Sequence, residues 1–258
     1  MKMTVYSLAH DTSSPARTRG SAVCRPIAVI ASSVAVLSVA EAAPIAVRID
    51  DALSPAYTCN DGSACDLTAT PDGVVTLSQS ISNWFVTVTT GVGYGDNGQG
   101  SPLDPYLHLN DINVRYDTGS SASNPLTVMV SETGFNTATA TDFFSLSTGG
   151  VLDKTRVKID AYLDTGNTLF GTGTLLGSLG PYQDPPSSFS DLSFPSGSTP
   201  GLFSLTLVAT FLPTSTTGIH TSSLDAELKA VPIPAALWLF GSALAGMGII
   251  GRRKQVTA

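Results

Sequence analysis

Few residues in this chain could do chemistry. Two Asp-Thr-Gly tripeptides stand at Asp117-Thr118-Gly119 and Asp164-Thr165-Gly166. A pair of carboxylates sharing one proton can activate a water for peptide-bond hydrolysis. The spacing speaks against it: the two aspartates are 47 residues apart, too few to build a lobe around the first before the second is reached. The same tripeptide is ordinary turn chemistry after a strand, with Asp accepting from its own backbone and Gly free to take φ > 0. For Ser–His–Asp catalysis only His108 and His220 lie outside the N-terminal region, and no Gly-x-Ser-x-Gly elbow exists. His108 reads as a partly exposed residue of an alternating run. Paired carboxylates for glycoside hydrolysis stay open as an alternative, because proximity across a sheet is invisible in sequence.

Cys59 and Cys65 bracket Asn-Asp-Gly-Ser-Ala. A disulfide is expected there, closing a tight loop worth about 2 kcal/mol by the chain-entropy argument. A zinc site would need a second Cys pair or a nearby His. Asp50, Asp51, Asn60, Asp61 and Asp66 gather beside this loop. Their hard oxygens would suit calcium, but without EF-hand or nonapeptide spacing they read as loop-stabilising carboxylates. No cofactor, no metal site and no catalytic residue is expected.

The elements that must position these residues are strands. Between residues 43 and 230 short apolar or alternating runs rich in Val, Thr, Ile and Phe are separated by Gly, Pro, Asn, Asp and Ser. Strands are predicted over 45–49, 74–80, 84–89, 106–116, 126–131, 142–147, 156–163, 202–212 and 219–228. Nine strands at this spacing predict an all-β, antiparallel two-sheet β-sandwich. In 156–161, Val157, Ile159 and Ala161 should point inward while Arg156, Lys158 and Asp160 face water. In 202–212 apolar residues on both faces, with Leu202, Val208 and Leu212 on the second, predict a central strand partly covered on both sides. The punctuated stretches 91–104 and 178–200 read as mobile surface loops.

Both ends differ from this body. Arg17, Arg19 and Arg25 precede an apolar run over 27–39, and Ala40-Glu41-Ala42 supplies the small residues of a signal-peptidase site. Residues 1–42 are therefore expected to be a helical signal peptide, cut after Ala42. At the other end twenty uncharged residues, 231–250, are followed by the basic stop Arg252-Arg253-Lys254. At ~1.5 Å per residue such a helix spans roughly 30 Å, one hydrocarbon core. Pro234 suits its first turn, and the positive-inside rule keeps the basic end in the cytoplasm. Residues 43–230 then carry six cations against eighteen anions, a net −12. Such a body repels nucleic acid, so nucleic-acid binding is excluded.

The tail Val231-Pro232-Ile233-Pro234-Ala235, its short span and the closing Gly251-Arg252-Arg253-Lys254 resemble the PEP-CTERM sorting signals of Gram-negative bacteria, in the Val-Pro-x-Pro-Ala variant. The resemblance implies recognition by an exosortase, a membrane transpeptidase-like enzyme that cuts near the motif and releases or re-attaches its cargo at the cell surface, often alongside exopolysaccharide production. Ile233 stands where the commoner motif has Glu. Tyr106–Val114 and the stretches 128–135, 163–171 and 223–232 are similar to the cargo domains that accompany such tails, which bring no established activity.

The reading that follows has three parts: 1–42 signal peptide, 43–230 exported β-sandwich, and 231–258 sorting tail with one transmembrane helix. Its partners are signal peptidase and the export machinery, an exosortase, and the membrane, with exopolysaccharide as a possible ligand. The function expected is a non-enzymatic cell-surface or extracellular-matrix protein, inner-membrane anchored as a precursor with a periplasmic body. The first alternative is a carbohydrate-binding module for exopolysaccharide using Trp84, Tyr94, Tyr106 and Tyr182. The second is a hydrolase, aspartic protease-like or a glycosidase.

Overall fold

The alternation of apolar residues along each run requires a partner face, and two sheets provide it for each other. The computed structural model describes residues 45–68, 73–93, 101–117, 124–137, 141–215 and 217–231. Within them thirteen strands occur: β1 Ile45–Asp50, β2 Tyr57–Asn60, β3 Val74–Ile81, β4 Trp84–Val92, β5 Tyr106–Asp117, β6 Leu126–Phe135, β7 Thr141–Val151, β8 Thr155–Asp164, β9 Thr174–Gln183, β10 Ser188–Ser193, β11 Ser196–Ser198, β12 Phe203–Pro213 and β13 Ile219–Ala230. Sheet A runs β2-β1-β6-β12-β8-β9 and sheet B runs β10-β7-β13-β5-β4-β3, with β11 added to β7. All pairings are antiparallel. The inner faces share one hydrophobic core, to which Trp84, Ile112, Leu146 and Leu228 of sheet B and Ile45, Val130, Ile159 and Phe211 of sheet A all belong. The all-β, two-sheet antiparallel expectation holds.

All nine predicted strands form, most with one to four more residues. Val157, Ile159 and Ala161 are buried as expected. Asp160 is not solvent-facing: it is buried, held by Lys158 Nζ at 2.8 Å and by the Ser178 hydroxyl of the neighbouring β9. Strand β12 is central and covered on both faces, with Thr206 and Val208 buried on its outer side. Leu202 precedes that strand and is 57% exposed.

The stretch expected to be a loop over 178–200 is instead most of β9, all of β10 and β11. The physical reason is edge position. β9 and β10 each close one sheet, so only one side of their backbone needs a partner, and Ser, Gly and even Pro181 are tolerated there. Short β2 escaped for the same reason. Tyr182 of β9 stacks on Phe189 of β10 with ring centroids 4.4 Å apart, and Tyr182 Oη donates to Asp191 Oδ2 at 2.8 Å. That pair closes one open side of the sandwich. In the other loop reading, 91–104, β4 continues to Val92 and Ser101 bridges Asp104.

Residues 1–42 and 232–258, and with them the expected signal peptide and sorting tail beyond Val231, lie outside the described residues. Among the described residues no helix is long and apolar enough to cross a membrane.

Candidate functional site

The candidate carboxylates and histidines fall on different parts of the two sheets. Asp164 ends β8 beside Ser204 of β12, and Phe135 pairs with Phe203 at that same end of sheet A. Asn136 N donates to Pro102 O at 2.8 Å, which sets this end beside the approach to β5. Asp117 is the last residue of β5, twelve residues long, so the two aspartates sit at opposite ends of the sandwich, roughly 30 Å apart. They cannot share a water. Asp164 does turn chemistry: it accepts from Gly166 N at 3.0 Å and from the Thr168 hydroxyl, and its carboxyl is held below the ordinary range chiefly by that hydroxyl. Thr118 and Gly119 lie outside the described residues.

Alternation sends His108 to the outer face of sheet B, between the buried Leu107 and Leu109. Its Nε2 lies 3.0 Å from Asp225 Oδ2 and its Nδ1 3.1 Å from Tyr106 Oη, which donates to Glu227 Oε2 at 3.3 Å. Burial first, then the Glu227 charge, push the Tyr106 phenol up to about 12. His220 binds Asp153 Oδ2 at 3.1 Å and the Thr217 carbonyl at 2.8 Å. The partners of both histidines are thus carboxylates, a phenol and a carbonyl, not a nucleophilic hydroxyl or thiol of Ser or Cys. Asp225 and Glu227 stand two residues apart on one face of β13, about 7 Å, a spacing glycosidase carboxylates can have. They lie on an open sheet face beside a shallow groove lined by Ser147, Gly149, Ser190 and Leu192.

Cys59 and Cys65 form the disulfide, with Cα atoms 5.7 Å apart and Cys59 in the core. The neighbouring carboxylates serve the loop. Asp66 accepts from Gly62 N, Thr76 N and Thr68, and Asp61 from Gly73 N at 2.9 Å. Asp51 accepts from Leu53 N and Ser54 N, and Asp50 from Ala52 N and Arg48. Leu67 N donates to Thr76 O at 2.8 Å, so the disulfide loop packs along β3 and closes the second open side of the sandwich. Among the described residues no three His, Cys, Asp or Glu side chains are grouped to hold a metal ion.

The aromatics proposed for carbohydrate do not form one platform. Trp84 is buried against Tyr116, centroids 4.6 Å apart, and donates to Asn124 O. Tyr106 and Tyr182 are half-buried in the hydrogen bonds above, and Tyr94 lies outside the described residues. A different set emerges from register. Ser80 of β3 pairs with Phe85 of β4, Phe85 with Arg115 of β5, and Arg115 with Thr221 of β13. All four are exposed on the outer face of sheet B. One step along the strands runs the parallel row Ser78, Thr87, Asn113 and Ser223. A depression of ≈ 390 Å³ opens beside the first row, lined by Ser80, Ser82, Asn83, Phe85, Arg115 and Asp117. Sequence reasoning passed over Phe85 and Arg115, although alternation puts both on the face opposite Trp84, Val86 and Val114.

Of the sorting-motif residues only Val231 is described; its N–H donates to Phe143 O at 2.7 Å as β13 ends. Pro232, Ile233, Pro234, Ala235 and the stop Arg252, Arg253 and Lys254 lie outside the described residues.

No protein-family model matches this chain, and no curated protein matches it. Solved structures do. The adhesin domain of Epf from Streptococcus pyogenes is similar at a TM-score of 0.36 and 9% identity, covering 72% of this chain and 58% of that one. The K1 cleaved adhesin domain of Lys-gingipain from Porphyromonas gingivalis W83 is similar at 0.27 and 10% identity, over 62% of this chain and 99% of that one. The enzymatically active domain of bacteriophage CBA120 tailspike protein 4 is similar at 0.30 and 12% identity, over 59% and 20%. TM-scores this low assign the chain neither a superfamily nor an activity.

Proposed function

We propose that this chain is a non-enzymatic surface or matrix protein, exported by a signal peptide over residues 1–42 and sorted by an exosortase through its tail from Val231. The observation that carries the reading is the boundary at Ala230. Strand β13 completes sheet B there, pairing Ala230 with Phe144, and the Val-Pro-Ile-Pro-Ala motif begins at the next residue. A motif placed immediately after the last strand of the described residues can be cut without removing any residue of either sheet. The net −12 of residues 43–230 supports delivery away from anionic membrane surfaces, and the disulfide suits an oxidising compartment. The separation of Asp117 from Asp164 supports the non-enzymatic part against an acid protease.

On this proposal the precursor sits in the inner membrane with its body in the periplasm, then reaches the surface. Mass spectrometry of the mature protein from cells with an active exosortase tests it. The expected N-terminus is Ala43 and the expected C-terminus falls near 231–235. A chain running intact through Ala258 overturns the sorting claim.

A second reading, saccharide binding by the body, is favoured by one feature, the exposed row Ser80, Phe85, Arg115 and Thr221 across four adjacent strands.

A further inference from the structure

We propose that this row is a binding site for an acidic saccharide, with Arg115 taking the carboxylate of a uronic acid residue and Phe85 the apolar face of a pyranose ring. The proposal rests on the saccharide reading and specifies its site and its ligand class.

The solvent-facing side of an antiparallel sheet is expected to be polar, so polarity alone says nothing. Two departures do. Phe85 is 41% exposed, on a strand whose alternation sends Trp84, Val86 and Val88 into the core. Phe85 is the second residue of β4, next to the β3–β4 turn, and is paired on both sides, with Ser80 of β3 and Arg115 of β5, so its ring is presented by backbone held at both edges. Beside it stands Arg115, directly across the ladder, where paired Cβ atoms are about 5 Å apart.

Arg115 also brings one of the few positive charges of an acidic body. Residues 43–230 carry six cations among eighteen anions. Arg48 pairs with Asp50 at 3.2 Å, Lys154 with Asp184 at 3.4 Å and Lys158 with Asp160 at 2.8 Å. Arg115, like Arg156 and Lys229, makes no ion pair among the described residues, although acidic side chains outnumber cations threefold in this body. A guanidinium left without a carboxylate offers a planar fork that a carboxylate fills with two parallel hydrogen bonds.

The surroundings define the rest of the ligand. Ser80 and Thr221 flank the aromatic–guanidinium pair, so hydroxyl, ring, cation and hydroxyl follow one another at the ~4.8 Å strand spacing, a flat row of roughly 14 Å. Pyranose rings joined in a chain repeat on a similar scale. Asn83 and Ser82 form the rim at the β3–β4 turn, and Asp117 lies two residues beyond Arg115 on the same face. Asp117 can accept hydroxyl hydrogens but repels a carboxylate, which orients the ring with its acid group over Arg115 and away from Asp117. The adjoining row Ser78, Thr87, Asn113 and Ser223 supplies only short hydroxyl and amide groups. An apolar peptide finds one ring to bury here. An acidic peptide would satisfy Arg115 but leave Phe85 and the hydroxyl rows unused.

Calorimetric titration of the full-length chain in mild detergent with trigalacturonate, its methyl ester, maltotriose and hexaglutamate tests this. Trigalacturonate should bind, and Arg115→Gln should weaken it about tenfold or more, the scale of a hydrogen-bonded charge pair. Phe85→Ser should weaken both trigalacturonate and its ester, while Arg115→Gln should leave the ester unchanged. Both side chains are exposed, so unfolding midpoints should match wild type. If Arg115→Gln shifts the midpoint, Arg115→Lys carries the test: it keeps the charge, loses the fork and should bind with intermediate strength.

Binding of maltotriose but not trigalacturonate, or trigalacturonate binding unaltered by both Arg115 variants, overturns the site while leaving the saccharide reading. Hexaglutamate binding as tight as trigalacturonate overturns it in favour of an acidic peptide. No binding of any of the three saccharides overturns site and reading together.

Discussion

The side chain of Asp164 occupies the space that a Cβ on Gly171 would need. Asp164 organises the β8–β9 turn from one end, accepting from Gly166 N and Thr168, while Phe170 N donates to Ser131 Oγ and Ser204 Oγ to Thr168 O. The turn is thereby clamped over the outer face of β6 and β12, which explains why Ser131, Ser204 and Thr206 are buried there. Gly171→Ala should destabilise the fold by about 1–3 kcal/mol, the cost of overpacking. Asp164→Ala should also destabilise it, yet the double variant should cost less than the sum. Urea unfolding of the four proteins measures this, and strict additivity would contradict the clash.

Asp66 predicts an acid dependence. Burial by itself raises its carboxyl, but donors from Thr76 N, Thr68 and Gly62 N outweigh burial and hold it below the ordinary range. A carboxyl depressed in the folded state stabilises above its unfolded value, near 4, and that contribution disappears as pH falls through the folded value. The urea midpoint should therefore drop on acidification below pH 4. Asp66→Asn should be less stable at neutral pH and show a flatter acid decline. An unchanged pH profile in that variant would remove Asp66 from the account.

At the alkaline end the sign reverses. Tyr106 is pushed up to about 12 by burial and then Glu227, and Tyr182 is raised by burial and its bond to Asp191. Unfolded tyrosines ionise near 10, so folding stability should fall as pH rises from about 10 through 12. Phenolate absorbance near 295 nm should show a late-ionising fraction, reduced in Tyr106→Phe. Titration of every tyrosine near pH 10 in a chain that is still folded would refute it.

Reduction of Cys59–Cys65 should cost about 2 kcal/mol, the chain-entropy value for so short a loop. Cys65→Ser should reproduce the loss, and its effect should fall on the strand-β3 side, where the loop closes the sandwich. Hydrogen exchange at Thr76 N and Leu67 N should quicken before exchange on β8 or β12 does. Uniform acceleration across both sheets would show the disulfide acting on global stability alone.

Alternation of apolar and polar residues was enough to read nine strands, the inward set Val157, Ile159 and Ala161, and the double coverage of β12, because burial of one strand face is a local requirement written at period two. The disulfide was legible too, from the Cys59–Cys65 spacing together with the expectation of export. Edge strands β2, β9, β10 and β11 were not, since an edge needs neither strong apolar alternation nor a full set of donors. Asp160 was misread as solvent-facing because its cover, Ser178, comes from an edge strand 18 residues away.

The composition and spacing of this chain determined by themselves that it is acidic between two terminal segments of different character, β-rich, and poor in catalytic groups. Which residues meet was decided by the tertiary structure alone. The leading aspartates of the two Asp-Thr-Gly tripeptides, Asp117 and Asp164, ended at opposite ends of the sandwich, and Phe85 and Arg115, 30 residues apart, came to lie side by side across the β4–β5 ladder. The reason is that strand register is a long-range pairing: alternation says which face a side chain takes, and only the hydrogen-bonded partner says what stands next to it.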